Sequence, residues 1–176
     1  MPSSMALRRQ NATPFQPAAA ILRQMLADPD KLVLCPGVYD GFTARMALTA
    51  GFDCLYMTGA GTAASVLGQP DLAIITLPEM AGNAGMIASL DRNVPVIADA
   101  DTGFGSSLSV ARAVQTYIQY NVAAMHIEDQ AFAKRCGHLR NKELVSLDYP
   151  DSTIFRYSFG QLFGSRTDST FSRDSP

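Results

Sequence analysis

His126-Ile127-Glu128-Asp129-Gln130 closes a short apolar run, residues 123–127, with two carboxylates and an amide. The run 94–99 upstream closes in the same way, with Asp99-Ala100-Asp101-Thr102-Gly103. Short apolar runs that end in polar or glycine-rich residues are typical of buried strands in a parallel sheet. Active-site residues of such sheets follow the carboxyl ends of the strands. These two stretches therefore predict both a sheet and the edge of it that carries chemistry.

Two more apolar runs extend this pattern, at residues 32–35 and 54–58. Helical patterns are predicted before and between the strands, at residues 17–26, 42–50, 78–90 and 108–120. The alternation predicts βα units and an α/β fold. A closed (β/α)₈ barrel needs eight strands and usually about 250 residues. In a chain of 176 residues we expect a partial TIM-type barrel of about four βα units, with an irregular C-terminal tail.

Three parts of the chain differ in composition. We assign residues 1–16 to an N-terminal extension, residues 17–148 to the half-barrel and residues 149–176 to the tail. The tail is rich in serine, lacks alanine, valine, glutamate and lysine, and follows no helical or strand period. We expect it to be disordered, as the aberrant end of a truncated or mis-spliced product.

Composition excludes several classes of function. A net charge of −2 without a basic cluster gives no surface for nucleic acid, and no apolar run reaches the length of about 18 residues that a membrane helix needs. We expect a cytoplasmic protein that acts on a small molecule. The first 27 residues contain arginines and no acid, which leaves a mitochondrial address as the alternative.

Three cysteines without paired spacing argue against a disulfide framework or a zinc site. Cys35 and Cys54 fall inside predicted strands, so we expect both to be buried. Cys136 stands in a glycine-containing loop with Lys134, Arg135 and His138, and cationic neighbours lower the pKa of a thiol. The sequence predicts a reactive thiol there, or alternatively a solvated basic loop.

Asp99 and Asp101 end one predicted strand, and Glu128 ends the next. If the backbone stays extended, both aspartates point to the same side. Convergent carboxylates repel one another unless a cation lies between them, and Mg²⁺ favours such oxygen ligands. Alternatively, the aspartate pair caps a turn. His126 should face the same side as Glu128, unless it is a histidine satisfied within the core.

Small residues follow the second predicted strand, at Thr58-Gly59-Ala60-Gly61. Their backbone N–H groups can turn toward an anion such as a substrate carboxylate. Residues 59–64 also satisfy the dinucleotide pattern G-x-G-x-x-G/A, which leaves a Rossmann interpretation open. That interpretation is weak because the glycines follow the second strand and no acid ends a strand about 20 residues later.

Together, the stretches 99–105, 126–130 and 134–138 resemble the isocitrate lyase / phosphoenolpyruvate mutase superfamily, on its methylisocitrate lyase, dimethylmalate lyase and oxaloacetate hydrolase side. The resemblance covers about residues 17–148. It implies a Mg²⁺-dependent carbon–carbon lyase or hydrolase, with Mn²⁺ as a possible substitute. The implied substrate is a small 2-hydroxy or 2-oxo di- or tricarboxylate that reacts through an enolate.

The resemblance also implies site residues. The metal would be held by Asp99, Asp101, Glu128 and, through water, Asp71. Cys136 would exchange a proton with the enolate carbon, with Lys134, Arg135 and His138 as its supporting charges. The implied substrate contacts are Tyr39, Thr58, Gly59, Ala60, His126 and Gly137.

Half a barrel leaves two consequences open. Exposed sheet edges invite pairing with another chain, so we expect self-association. Because the residues of a second half have no position here, the rival interpretation is a catalytically inactive remnant or an interaction protein derived from such a lyase.

Overall fold

The computed structural model describes residues 15–131 and 134–145. The predicted tail and almost all of the predicted N-terminal extension lie outside these residues. Within them, the elements follow the chain as α1 Ala18–Ala27, β1 Gly37–Val38, α2 Gly41–Thr49, β2 Leu55–Met57, α3 Gly59–Thr62, a π-helical turn Ala63–Leu67, α4 Leu77–Leu90, β3 Val96–Asp99, α5 Ser107–Gln119 and β4 Ala124–His126. No helix in the described part has the length and apolar character of a membrane span.

The four strands form one parallel sheet in the order β1-β2-β3-β4. A helix follows each of the first three strands, and each neighbouring pair of strands is consecutive in sequence. This is the arrangement of βα units with parallel crossovers. It confirms the α/β prediction and brings the carboxyl ends of all four strands to one edge.

Local signals fix where the helices begin. The Asp40 carboxylate caps α2 by accepting from the Thr43 backbone N–H at 2.7 Å. That bond, together with one from the Thr43 hydroxyl, lowers the pKa of Asp40. Thr76 and Glu79 form a reciprocal capping box at α4, which also has a proline in its first turn.

Two apolar clusters hold the sheet. Helices α2, α4 and α5 cover one face, where Met57, Met80, Ile87 and Tyr117 are buried against one another. Helix α1 packs against a separate cluster that includes Cys54. Burial of large side chains supplies the main favourable free energy of such layers.

The first predicted strand is wrong in position. The strand is Gly37–Val38, and pairing begins where the Tyr56 N–H donates to the Pro36 carbonyl at 3.1 Å. Leu32 is 79% exposed and Leu34 57% exposed. An apolar run becomes a strand only where a partner lies in register, and β2 provides that register from residue 36 onward.

Strands β1 and β4 are the outer strands of the sheet. Within the described ranges, neither pairs with a second neighbouring strand. Such edges offer unpaired backbone groups. The prediction of self-association stays a prediction.

Candidate active site

A buried lysine lies at the centre of an acid cluster formed by Asp71, Asp101 and Glu128. The Lys134 Nζ is 2.7 Å from Asp71 Oδ1, 2.6 Å from Asp101 Oδ1 and 3.9 Å from Glu128 Oε1. Lys134 is only 2% exposed. Three of the four acids predicted as metal ligands therefore converge on one cation, and that cation is an ammonium group of the chain itself.

The surroundings raise the pKa of both central partners, Asp101 and Lys134. Burial raises the pKa of Asp101, with Lys134 opposing and Asp99 and Asp71 adding to the shift. Burial alone would lower the pKa of Lys134, but Asp101 and Asp71 outweigh it, so that pKa lies above its ordinary value. Both shifts follow from several negative groups gathered in a poorly hydrated place.

Asp99 faces a different partner. Its Oδ1 accepts from the Asp101 N–H at 2.9 Å, and its Oδ2 accepts from the Gly59 N–H at 3.1 Å. Its own carbonyl accepts from the Tyr117 hydroxyl at 2.8 Å. Asp99 is thus held in place at the end of β3, and among the described residues it forms no ion pair with Lys134.

The premise of an extended backbone at the aspartate pair is wrong. Asp101 has a φ of +47°, in the left-handed region that costs non-glycine residues energy. The chain therefore turns sharply after β3, and the two carboxylates take separate partners. Ala73 and Phe104 also have positive φ, and both line, with Asp101, a cavity of about 330 Å³. Strained backbone thus collects around this acid.

The donor chemistry of the cluster suits a hard divalent cation. Asp71, Asp101 and Glu128 offer carboxylate oxygens, the ligands that Mg²⁺ prefers. The Lys134 ammonium now occupies the position between these oxygens, paired with Asp101 and Asp71. As arranged, no three His, Cys, Asp or Glu side chains among residues 15–131 and 134–145 would hold a metal ion. A cation could bind only if Lys134 withdrew.

The small residues after β2 bind a carboxylate of the chain itself, that of Asp99. Helix α3 begins at Gly59, and the Thr58 hydroxyl caps it by accepting from the Gly61 N–H at 3.3 Å. The Gly59 N–H is already used by Asp99, whereas Ala60 is exposed. Tyr39 lies against this turn, since a Cβ on Gly61 would fall 2.9 Å from the Tyr39 Cβ.

His126 is exposed and therefore is not a core histidine. Its Nδ1 lies 3.2 Å from the hydroxyl of Tyr56. Burial, followed by the charges of Asp99 and Glu128, raises the pKa of Tyr56 to about 12. Tyr56 therefore faces the acids, and sequence reasoning missed it. The available signal was strand alternation, because Tyr56 and Thr58 point to the same side of β2.

Residues 134–138, the thiol loop, bring Cys136 and His138 together, with Sγ and Nδ1 3.7 Å apart. Cys136 is partly exposed, and its predicted reactivity stays a prediction. Cys54 is buried, and that burial raises its pKa to about 12. Cys35 is partly exposed, which contradicts the predicted burial, because residues 32–35 do not join the sheet. Arg135 and Gly137 are exposed.

Gln130 is a second residue that sequence reasoning left without a role. Its buried side chain donates to Glu128 Oε2 at 2.6 Å and to the Arg135 carbonyl at 2.8 Å. Its Oε1 accepts from the Arg135 N–H at 3.1 Å. The residue was visible in the stretch 126–130, but nothing in its spacing indicated these partners.

Comparison with known proteins identifies the family. The family model described as phosphoenolpyruvate phosphomutase matches residues 22–149. The 2,3-dimethylmalate lyase of Eubacterium barkeri is 46% identical over 128 residues, which are 73% of this chain and 44% of that protein. The chain thus spans about half the length of the curated relatives it matches.

Comparison with solved structures points to the same superfamily. A crystal structure of 2,3-dimethylmalate lyase is 58% identical, with a TM-score of 0.73, over 76% of this chain and 44% of that one. Oxaloacetate acetylhydrolase with 3,3-difluorooxalacetate is 56% identical, with a TM-score of 0.73, over 77% and 46%. Phosphonopyruvate hydrolase with oxalate and Mg²⁺ is 29% identical, with a TM-score of 0.64, over 74% and 44%. The structural neighbours are TIM-barrel-type enzymes, which confirms the predicted fold class. The chain belongs to the phosphoenolpyruvate mutase / isocitrate lyase superfamily.

Proposed function

We propose that this chain carries the metal- and thiol-bearing half of a Mg²⁺-dependent carbon–carbon lyase or hydrolase. The observation that carries the proposal is the convergence of Asp71, Asp101 and Glu128 on one buried cation position. The names of the relatives support the substrate class, a small 2-hydroxy or 2-oxo di- or tricarboxylate, as in dimethylmalate and oxaloacetate. Mn²⁺ would satisfy the same oxygen ligands.

The proposed cation would be held by Asp71, Asp101 and Glu128, with Asp99 orienting Asp101 through its backbone N–H. A bound Mg²⁺ supplies Lewis-acid stabilisation of the negative charge that develops on the substrate oxygens. The phosphonopyruvate hydrolase structure, which contains Mg²⁺ and oxalate, supports this choice of metal. For the cation to enter, the Lys134 ammonium must move and is then free to counter a substrate carboxylate.

Proton transfer would fall to the thiol loop. Cleavage of the carbon–carbon bond leaves its electron pair on the enolate carbon, and the Cys136 thiol donates a proton to that carbon. The substrate hydroxyl loses its proton to solvent as it becomes a carbonyl, and the thiolate recovers a proton from solvent through His138, whose Nδ1 is 3.7 Å from the sulfur. Arg135 and Gly137, both exposed in this loop, would face the substrate carboxylate.

The remaining substrate contacts are proposed on the sheet side. Thr58, Ala60 and Tyr39 surround the first turn of α3, and His126 stands beside the Tyr56 hydroxyl. Because the Gly59 N–H is bonded to Asp99, Gly59 acts on the acid rather than on the substrate.

Turnover of 2,3-dimethylmalate, 2-methylisocitrate and oxaloacetate with Mg²⁺ tests the proposal. We expect product from one of these acids, and loss of about 100-fold or more in kcat for Cys136→Ser, the range for a general acid. Cys35→Ser is the matched control, because Cys35 is also a partly exposed thiol but lies in the α1 cluster. It should retain wild-type turnover, and a chelator should abolish turnover of both.

A folded protein that turns over none of the three acids and binds no Mg²⁺ or Mn²⁺ in calorimetry would overturn the proposal. A non-catalytic interaction protein of lyase ancestry would then be the better interpretation.

A further inference from the structure

One buried amide side chain connects the acid cluster to the thiol loop. The carboxamide of Gln130 donates one hydrogen to Glu128 Oε2 and the other to the Arg135 carbonyl, at 2.6 and 2.8 Å. Its oxygen accepts from the Arg135 N–H at 3.1 Å. Both hydrogens of the amide nitrogen are therefore used, on two different segments. The donor and acceptor needs of Glu128 and Arg135 also leave only one orientation of the amide.

The same residue anchors the far side of the loop through its backbone. Gln130 forms an isolated antiparallel bridge with Leu144. On either side of it, the Ala131 N–H donates to the Glu143 carbonyl at 2.8 Å, and the Val145 N–H donates to the Asp129 carbonyl at 2.9 Å. Segment 134–145 is therefore closed at its base by backbone bonds and held at its start by the Gln130 side chain.

Gln130 binds the backbone N–H and carbonyl of Arg135, and Arg135 lies between two residues with proposed roles in the reaction. Lys134 precedes it and reaches into the acid cluster, and Cys136 follows it and lies next to His138. Arg135 itself is exposed. Fixing both polar groups of its backbone therefore limits how far the backbone of its two neighbours can move.

We propose that Gln130 is the positioning residue that couples the Glu128 carboxylate to the loop of Lys134 and Cys136. Because one amide bonds to both Glu128 and Arg135, movement of Glu128 displaces Arg135, and movement of the loop displaces Glu128. Gln130 touches neither substrate nor reacting atoms and acts only through these groups. The proposal rests on the proposed function in one respect, the assignment of roles to Lys134 and Cys136.

Gln130→Glu is the informative variant. It keeps the shape and the acceptor oxygen for the Arg135 N–H, but it replaces both donors with an oxygen that repels Glu128 and the Arg135 carbonyl. Gln115→Glu is the matched control, because it makes the same chemical change at an exposed position of α5.

Limited alkylation with iodoacetamide at neutral pH, read by mass spectrometry, separates positioning from general destabilisation. Cys54 is fully buried in the α1 cluster and reports opening of the fold, whereas Cys136 reports the loop. We expect Gln130→Glu to raise the Cys136 rate by about fivefold, the factor for loss of the one donated bond that reaches the loop, that to the Arg135 carbonyl, with the Cys54 rate unchanged. Gln115→Glu should leave both rates at the wild-type value.

Two outcomes would overturn the proposal. One is an unchanged ratio of Cys136 to Cys54 labelling in Gln130→Glu, which includes a parallel rise of both rates. The other concerns the wild type and needs no variant: if the Arg135 amide exchanges its hydrogen as fast as the amides of exposed loop residues, the clamp does not exist. Neither measurement uses a substrate, so both are independent of the turnover assay that decides the proposed function.

Discussion

Replacing Lys134 with methionine should be among the most damaging single changes in this chain. The variant keeps much of the side-chain length but removes the ammonium that lies within 4 Å of Asp71, Asp101 and Glu128. The three carboxylates then face one another without a counter-charge in a buried place. Removing one partner of a buried ion pair costs about 3–5 kcal/mol, and we expect a loss of unfolding free energy in that range.

Denaturant unfolding of wild type and variant measures this loss, and Lys31→Met is the matched control. Lys31 pairs with Asp53, but the two side chains are 33% and 54% exposed. Exposed pairs contribute about 0–1 kcal/mol. An equal loss of unfolding free energy in the two variants would show that burial does not strengthen the Lys134 pairs.

Magnesium and pH make the prediction more specific. In Lys134→Met the cation position is free of its competitor, so added Mg²⁺ should restore stability, by about 2.7 kcal/mol at a hundredfold excess over the Kd. Burial already raises the pKa of Asp101 in the wild type, and this pKa should rise further in the variant because the opposing Lys134 ammonium is gone. A raised folded pKa favours folding at low pH and loses that contribution as pH rises. Acidification below neutral pH should therefore shrink the deficit of the variant.

Three other features of the molecule can be tested in the same way. Gly59→Ala should lower the free energy of unfolding by about 1–3 kcal/mol and weaken Mn²⁺ binding in calorimetry, because its Cβ would lie 2.6 Å from Asp99 Oδ2. The control is Gly82→Ala, a helical position with no atom within 4 Å of the added Cβ, which should leave stability unchanged or raise it. Cys136 should be alkylated before Cys54 in the folded protein, since only the latter is buried; preferential labelling of Cys54 would reverse the assignment. Light scattering should show self-association through the outer strands of the sheet, and a monodisperse monomer at high concentration would count against exposed edges.

The sequence by itself determined the layers of this protein. Apolar runs at 54–58, 94–99 and 123–127 each contain a strand of the sheet. Strands β2 and β3 are mostly buried, which requires continuous apolar residues. The capping residues of α2 and α4 are local signals of the same kind. The motifs at 99–105, 126–130 and 134–138 were enough to indicate the family, and the first two lie at the carboxyl ends of parallel strands.

Only the tertiary structure decided how the site residues meet. The turn at Asp101 depends on one backbone dihedral, which composition and spacing do not encode, and it separates two carboxylates that an extended chain would have placed together. The sequence showed Lys134 in a basic loop, but not that its ammonium reaches the acids. Gln130 and Tyr56 acquired their roles from partners on other segments. Hydrophobic periodicity records which residues are buried, whereas the partner of a polar group depends on distances between segments that only the folded chain defines.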